Sequence, residues 1–142
     1  MFSMEPECIM KIFADTNVLV SAFTARGLCA DLLEVILADH QLMTGEFVLQ
    51  ELERVLTTKL KVPKSNVSDT LRFLNKYHVE PIPEEPSKIK VRDEDDRWVL
   101  ESAFRANADI LVTGDKDLLV LSKSITRIKI ISPRGFWEIL KE

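Results

Sequence analysis

Two short apolar segments of the sequence end directly in aspartates. The first, IMKIFA, precedes Asp15, and the second, DILVTG, precedes Asp115. If both segments are neighbouring parallel strands, their carboxyl ends meet at one edge of the sheet, and ligands bind there in α/β proteins. The two carboxylates would then lie together. Hydroxyls that could orient a carboxylate or a water molecule lie beside them: Thr16 and Thr113.

Two further acids lie in predicted helices. Asp96 stands at the start of a helix that leads into the second apolar segment, where acids are common because they complement the helix dipole. Glu51 lies on the flank of the buried face of another helix. Taken alone, Asp96 is explained as an acid of a first helical turn, and Glu51 as a partly exposed helix residue. Several carboxylates without cysteine or histidine clusters favour hard oxygen ligation of Mg²⁺ or Mn²⁺, and a metal would offset the cost of burying them.

The elements that must position these acids alternate along the chain. Apolar runs predict strands over 9–14, 41–44, 79–82, 109–113 and 127–131. Spacings of three and four predict helices over 28–39, 46–60, 65–77, 95–108, 116–122 and 133–140. This alternation indicates an α/β domain with a mainly parallel sheet.

Length and composition restrict the class of protein. With 142 residues, we expect one domain over 10–142, preceded by a tail over 1–9. No apolar stretch reaches the roughly 18 residues that cross a bilayer, and the first residues carry acids where a signal peptide is basic. Two cysteines make neither a disulfide framework nor a zinc site. We therefore expect a cytoplasmic protein that does not associate with membranes.

Charge is unevenly distributed, although the net charge is only −4. Residues 54–76 carry six basic side chains against one acid, and residues 80–96 carry seven acids against three basic side chains. Two solvated faces of opposite sign explain this pattern. A basic rim beside an acidic metal site also explains it, and would attract a polyanion. The basic residues nearest to Glu51 in sequence are Arg54, Lys59, Lys61 and Lys64.

Four segments together resemble the PIN-domain family, in order and in spacing, over residues 10–140. They are MKIFADTNVLVSAF, QELERVL, DEDDRWVLESAFRANADILVTGDKDLL and IKIISPRGFWEIL. The resemblance is strongest to the toxin components of prokaryotic toxin–antitoxin modules. It implies a three-layer α/β/α domain with about five parallel strands, and a pocket of acids that binds Mg²⁺ or Mn²⁺. It also implies endoribonuclease activity that leaves a 5′-phosphate and a 3′-hydroxyl, with an antitoxin as protein partner and a homodimer or higher oligomer.

The resemblance also implies roles for individual residues. The family's catalytic acids match Asp15, Glu51, Asp96 and Asp115. Of these, Asp15, Asp96 and Asp115 match the metal ligands, and Glu51 and Asp117 are candidates for further ligands. Asp117 stands where a further carboxylate is common, and Asp93 belongs to an acid-rich run before the third acid. Supporting polar residues match Thr16, Asn17 and Thr113. We expect the RNA backbone to contact Arg54, Lys59, Lys61 and Lys64.

Two other classes of protein fit parts of the pattern. A non-catalytic RNA-binding or protein-interaction module could keep the same fold, although the complete set of acids argues against it. A receiver-like phosphoacceptor domain also gathers acids at strand ends, but it needs an aspartate after a mid-chain strand. Here the segments QLMT and VEPI end in none. Trp98, on the helix that carries Asp96, is expected to be a core residue rather than a surface for base stacking.

Overall fold

The computed structural model describes residues 9–141, so the predicted tail lies outside the described residues except for Ile9. The strands are β1 (Lys11–Ala14), β2 (Gln41–Gly45), β3 (His78–Glu80), β4 (Ile110–Val112) and β5 (Lys129–Ile131). The helices are α1 (Thr16–Thr24), α2 (Leu28–Asp39), α3 (Glu46–Arg54), α4 (Lys64–Leu74), α5 (Glu94–Arg105), α6 (Lys116–Leu119) and α7 (Pro133–Leu140). A π-helical turn (Val55–Lys59) extends α3. None of the helices described here is both long and apolar enough to span a bilayer.

The strands form one parallel sheet in the order β3-β2-β1-β4-β5, flanked by the helices. The predicted three-layer α/β/α architecture is confirmed. The chain winds outward from β1 through β2 to β3, then crosses back to build β4 and β5 on the other side of β1. The strand order therefore reverses between β1 and β4. In doubly wound sheets, this reversal opens a crevice at the carboxyl ends of the two strands.

The central strands are buried on both faces, as parallel strands between two helical layers must be. Phe13 on β1 lies beside Met43 on β2 and Leu111 on β4, and all three are at most 2% exposed. Burial of each such side chain contributes about 1.5–3 kcal/mol. This packing fixes the strand ends, and hence the backbone from which the site residues project.

Helix α1 was not predicted. Its sequence, TNVLVSAFT, is rich in β-branched residues, which have weak helix propensity. Tertiary contacts override that propensity, because Val18 and Leu19 are buried. The Asp15 carboxylate also accepts a hydrogen bond from the backbone N–H of Thr16, which caps the helix. The polar residues after β1 thus begin a helix at once.

The third helix departs from the continuous amphipathic helix predicted over 46–60. The α-helical part ends at Arg54, and the π-helical turn follows. A π-helical turn is wider than an α-helical one, so the residues after it no longer follow the 3.6-residue period. The spacing of the helix predicted over 46–60 puts Leu60 on the same face as Leu52 and Leu56, but this side chain is 47% exposed.

Candidate active site and metal centre

An acidic cavity of about 340 Å³ opens at the carboxyl ends of β1 and β4, where the strand order reverses. Its walls come from the ends of these strands and from α1, α3 and α5. The polar and charged residues that line it are Asp15, Thr16, Asn17, Ser21, Glu51, Asp93, Asp95, Asp96 and Asp115, and the apolar ones are Val20 and Val55.

Asp15 is held rigidly between β1 and β4. Its Oδ1 accepts a hydrogen bond of 2.7 Å from the backbone N–H of Thr16, and its Oδ2 accepts one of 2.7 Å from the hydroxyl of Thr113. Asn17 donates to the same Oδ2 at 3.4 Å and accepts a hydrogen bond of 2.8 Å from the backbone N–H of Gly114. These bonds fasten the strand end after β1 to the turn after β4.

Three carboxylates converge in the cavity. Asp93, Asp96 and Asp115 each offer one oxygen, and these oxygens lie within 4.8 Å of one another. Asp96 is only 5% exposed, and its buried Oδ2 has no hydrogen-bond partner. A buried carboxylate oxygen without a donor is costly unless a cation neutralises it. The oxygen-only donor set therefore fits Mg²⁺ or Mn²⁺.

The pKa values of the cavity acids also favour a bound cation. Burial raises the pKa of Asp15 to about 6, although the hydrogen bonds from Thr113 and Thr16 oppose the shift. Burial and the neighbouring Asp115 carboxyl raise the pKa of Asp96 to about 8, and the charges of Asp15 and Asp93 add to it. Without a cation, these acids are thus difficult to ionise together.

Glu51 reaches the cavity from α3. The hydroxyl of Thr16 donates a hydrogen bond of 3.0 Å to its Oε1, and the Arg54 guanidinium lies 3.6 Å from its Oε2. The side chain is 34% exposed. Thr16 therefore connects two acids, since its backbone N–H binds Asp15 and its hydroxyl binds Glu51.

Three of the acids also begin helices. Asp15, Asp93 and Asp115 are the N-cap residues of α1, α5 and α6, and each accepts a backbone N–H through its Oδ1. One oxygen of each carboxylate thus serves the backbone. Since the cap position fixes the side chain, the second oxygen has a defined direction.

The structure gathers most of the predicted site residues around this cavity. Asp115 also contacts Thr113, whose hydroxyl accepts its backbone N–H at 3.0 Å. Asp117, by contrast, is not among the lining residues; its backbone N–H binds Asp115. Arg54 borders a neighbouring groove. The predicted RNA contacts outside the cavity lining are exposed: Lys59, Lys61 and Lys64.

Some lining residues were not predicted. Val20 and Ser21 belong to α1, and an aspartate placed directly before TNVLVSAF was the signal that a helix begins there. Asp95 was only one acid among four consecutive ones in sequence. The helical periodicity of α5 alone does not tell which of these acids face the cavity, because the first turn is set by the cap at Asp93.

Comparison with known proteins identifies the family. The sequence profile described as "PIN domain" matches residues 11–117. This chain belongs to the PIN-domain family. The matched range includes all six acids of the cavity. No curated protein sequence matches the chain significantly.

Solved structures of the PIN domain's relatives share the fold. The VapBC2 structure from Rickettsia felis, bound to a DNA fragment from their promoter, is 20% identical, with a TM-score of 0.64, over 87% of this chain and 98% of that chain. Mycobacterium tuberculosis VapC20, described as a Sarcin-Ricin loop cleaving toxin, is 14% identical, with a TM-score of 0.59, over 83% of this chain and 98% of that chain. At these identities the likeness concerns the fold.

Proposed function

We propose that this PIN domain is a metal-dependent endoribonuclease and the toxin of a toxin–antitoxin pair. The observation that carries the proposal is the convergence of buried carboxylates at the reversal of strand order, with an unpartnered oxygen on Asp96. The fold is shared with VapC20, which is described as a Sarcin-Ricin loop cleaving toxin. Under this proposal, residues 10–142 form a single nuclease domain that acts in the cytoplasm.

Asp93, Asp96 and Asp115 would hold Mg²⁺ or Mn²⁺. When bound, the ion supplies charge compensation at the phosphate and lowers the pKa of water. Asp15, fixed by Thr113, adds negative charge beside this position and keeps the strand ends together. Glu51, which Thr16 holds at the cavity wall, would accept a proton from an attacking water.

A cleavage assay tests this proposal. The protein, purified free of any partner, is incubated with single-stranded RNA in Mg²⁺, in Mn²⁺ and in EDTA. We expect cleavage in either metal, none in EDTA, and 5′-phosphate ends on the products. Asp96→Asn should lower the rate at least about 100-fold. The matched control is Glu94→Gln, an exposed acid in the same helical turn that pairs with Arg97 instead.

The alternative is a non-catalytic RNA-binding or protein-interaction module on the same fold. Absence of metal-dependent cleavage in the wild-type protein, together with retained RNA binding, would favour it. The raised pKa values of Asp15 and Asp96 support the catalytic proposal, because a binding module has no need of acids that resist ionisation in one cavity.

We also propose an antitoxin as protein partner and a homodimer or higher oligomer as the state in solution. Co-expression with the product of the adjacent reading frame should yield a complex that cleaves RNA more slowly than the free protein. Light scattering during gel filtration measures the oligomeric state, and a mass equal to the 16.2 kDa chain would contradict the oligomer.

A further inference from the structure

A shallow groove of about 240 Å³ lies between α3 and α5, beside the acidic cavity. One face of α3 provides most of it, through residues separated by three, four and seven positions. Glu51 and Asp95 line both the groove and the acidic cavity, so the two are continuous. The groove residues are Phe47, Gln50, Glu51, Arg54 and Asp95.

An aromatic pair forms the apolar part of this region. The ring of Phe47 stacks on Trp98 of α5, with centroids 5.9 Å apart and an angle of 16° between the planes. Both side chains are half-buried, so Trp98, which the sequence predicts as a core residue, is partly exposed. Phe47 lines the groove, and Trp98 supports it from α5. A partly exposed, supported ring offers a flat surface on which a base can stack.

The polar part of the groove can recognise a base or its phosphate. Gln50 is exposed, and its amide offers both a donor and an acceptor. The side chain of Arg54 is 55% exposed and 3.6 Å from Glu51. Guanidinium planes stack on unpaired bases and bind phosphate. Aromatic, amide and guanidinium groups on one helix face can together stack on and hydrogen-bond an unpaired base of single-stranded RNA.

We propose that this groove binds the base of the nucleotide next to the phosphate at the acidic cavity. Phe47, supported by Trp98, is the stacking surface, and Gln50 and Arg54 make the polar contacts. The inference rests on the proposed ribonuclease function and adds to it the residues that select the base. Since the groove and the cavity share Glu51, a bound strand passes from one into the other without leaving the surface.

Steady-state cleavage of short single-stranded RNAs, varied at one base beside the cleavage position, tests this role. Phe47→Leu keeps an apolar side chain but removes the ring, so KM should rise at least about fivefold while kcat changes little, because stacking contributes about 1–3 kcal/mol per base. Gln50→Ala should reduce the difference in kcat/KM between RNAs that carry different bases at this position. The matched control is Phe73→Leu, another half-buried ring, which packs near Phe23 and Tyr77. Equal effects of both phenylalanine variants would overturn the proposal.

A binding experiment separates failure of the groove from failure of the nuclease. In the Trp137→Phe variant, Trp98 is the only tryptophan of the chain. A short single-stranded oligoribonucleotide, titrated in EDTA so that it stays intact, should quench its fluorescence, and Phe47→Leu should weaken binding at least about fivefold. Cleavage without quenching would contradict base binding in the groove and leave the proposed nuclease activity intact. Quenching without metal-dependent cleavage would overturn the nuclease and leave the groove as a base-binding site.

Discussion

The hydroxyl of Thr113 donates a hydrogen bond of 2.7 Å to Oδ2 of Asp15, across 98 positions of sequence. Both residues are at most 3% exposed. This bond joins the carboxyl ends of β1 and β4 and holds the most deeply placed acid of the cavity. Thr113→Val should destabilise the protein by about 1–3 kcal/mol, because it removes the shorter hydrogen bond to a buried carboxylate oxygen and leaves only the 3.4 Å bond from Asn17. It should also lower cleavage about 10- to 100-fold.

Thr44→Val is the matched control for Thr113→Val. Thr44 is equally buried and donates a hydrogen bond of 3.0 Å, but to the backbone oxygen of Ala14 rather than to an acid. Urea denaturation should show a similar loss of stability for both variants, whereas the cleavage rate should fall only for Thr113→Val. A comparable loss of rate in Thr44→Val would mean that general destabilisation, and not the contact with Asp15, causes the effect.

Asp15→Asn should remove most of the activity and leave the fold intact. Asn keeps the shape of the side chain and still offers an oxygen to the backbone N–H of Thr16, but it lacks the charge. Because burial raises the pKa of Asp15 in the folded protein, removal of the charge should increase the melting temperature of the metal-free protein near neutral pH. Circular dichroism and the cleavage assay measure the two effects. Unchanged cleavage would refute the assignment of Asp15.

The divalent ion should raise the melting temperature, since it binds the native state alone. At 100 times its dissociation constant, the ion contributes about 2.7 kcal/mol. Substitution by Asn at Asp93, Asp96 or Asp115 should in each case abolish most of this shift in melting temperature. Glu94→Gln should retain it, because this exposed acid pairs with Arg97. A thermal scan in millimolar Mn²⁺ without any shift would show that the three carboxylates hold no metal.

Stability of the metal-free protein should fall as pH rises from about 4 to about 8. Folding raises the pKa of Asp15 to about 6 and that of Asp96 to about 8, so the folded state binds more protons than the unfolded state in this range. The free energy of unfolding then decreases with pH. Urea denaturation in EDTA at several pH values measures this slope. Asp96→Asn should flatten it above pH 6, and an equal slope in that variant would contradict the assignment.

The lysines after α3 should bind RNA through its backbone. Replacement of Lys59, Lys61 and Lys64 by Ala should weaken RNA binding and flatten its salt dependence. The slope of log K against log salt concentration should fall in magnitude by roughly 0.7 for each phosphate that the protein no longer neutralises. The control replaces the exposed Lys11 and Lys129, which begin β1 and β5 at the opposite edge of the sheet. If the salt slope of the triple variant equals that of the wild type, these lysines form a solvated face or meet the antitoxin instead.

The sequence predicts all five strands, and the signal is clearest for the central β1, β2 and β4, because buried parallel strands are short apolar runs with sharp polar ends. It also predicts the acids that follow β1 and β4, since the chain places them next to those runs. It does not predict α1, where the buried contacts of Val18 and Leu19 outweigh weak helix propensity. Nor does it predict that Asp93 converges with Asp96, because that convergence depends on the cap geometry at the start of α5. The local pattern of apolar and polar residues is sufficient to predict the strands, whereas the exact positions of the site carboxylates depend on tertiary contacts.

Three residues are both helix caps and acids of the cavity: Asp15, Asp93 and Asp115. At these positions the requirement of the fold differs from the requirement of the chemistry. Asparagine caps a helix about as well as aspartate does. The backbone therefore requires only an oxygen at these positions, and nothing in helix formation demands a negative charge. Replacement of one oxygen by an amide nitrogen in each of the three side chains would therefore yield an inert protein that keeps its helix starts and its backbone. Such a protein would separate the partners that recognise the fold from those that need the charge of the cavity.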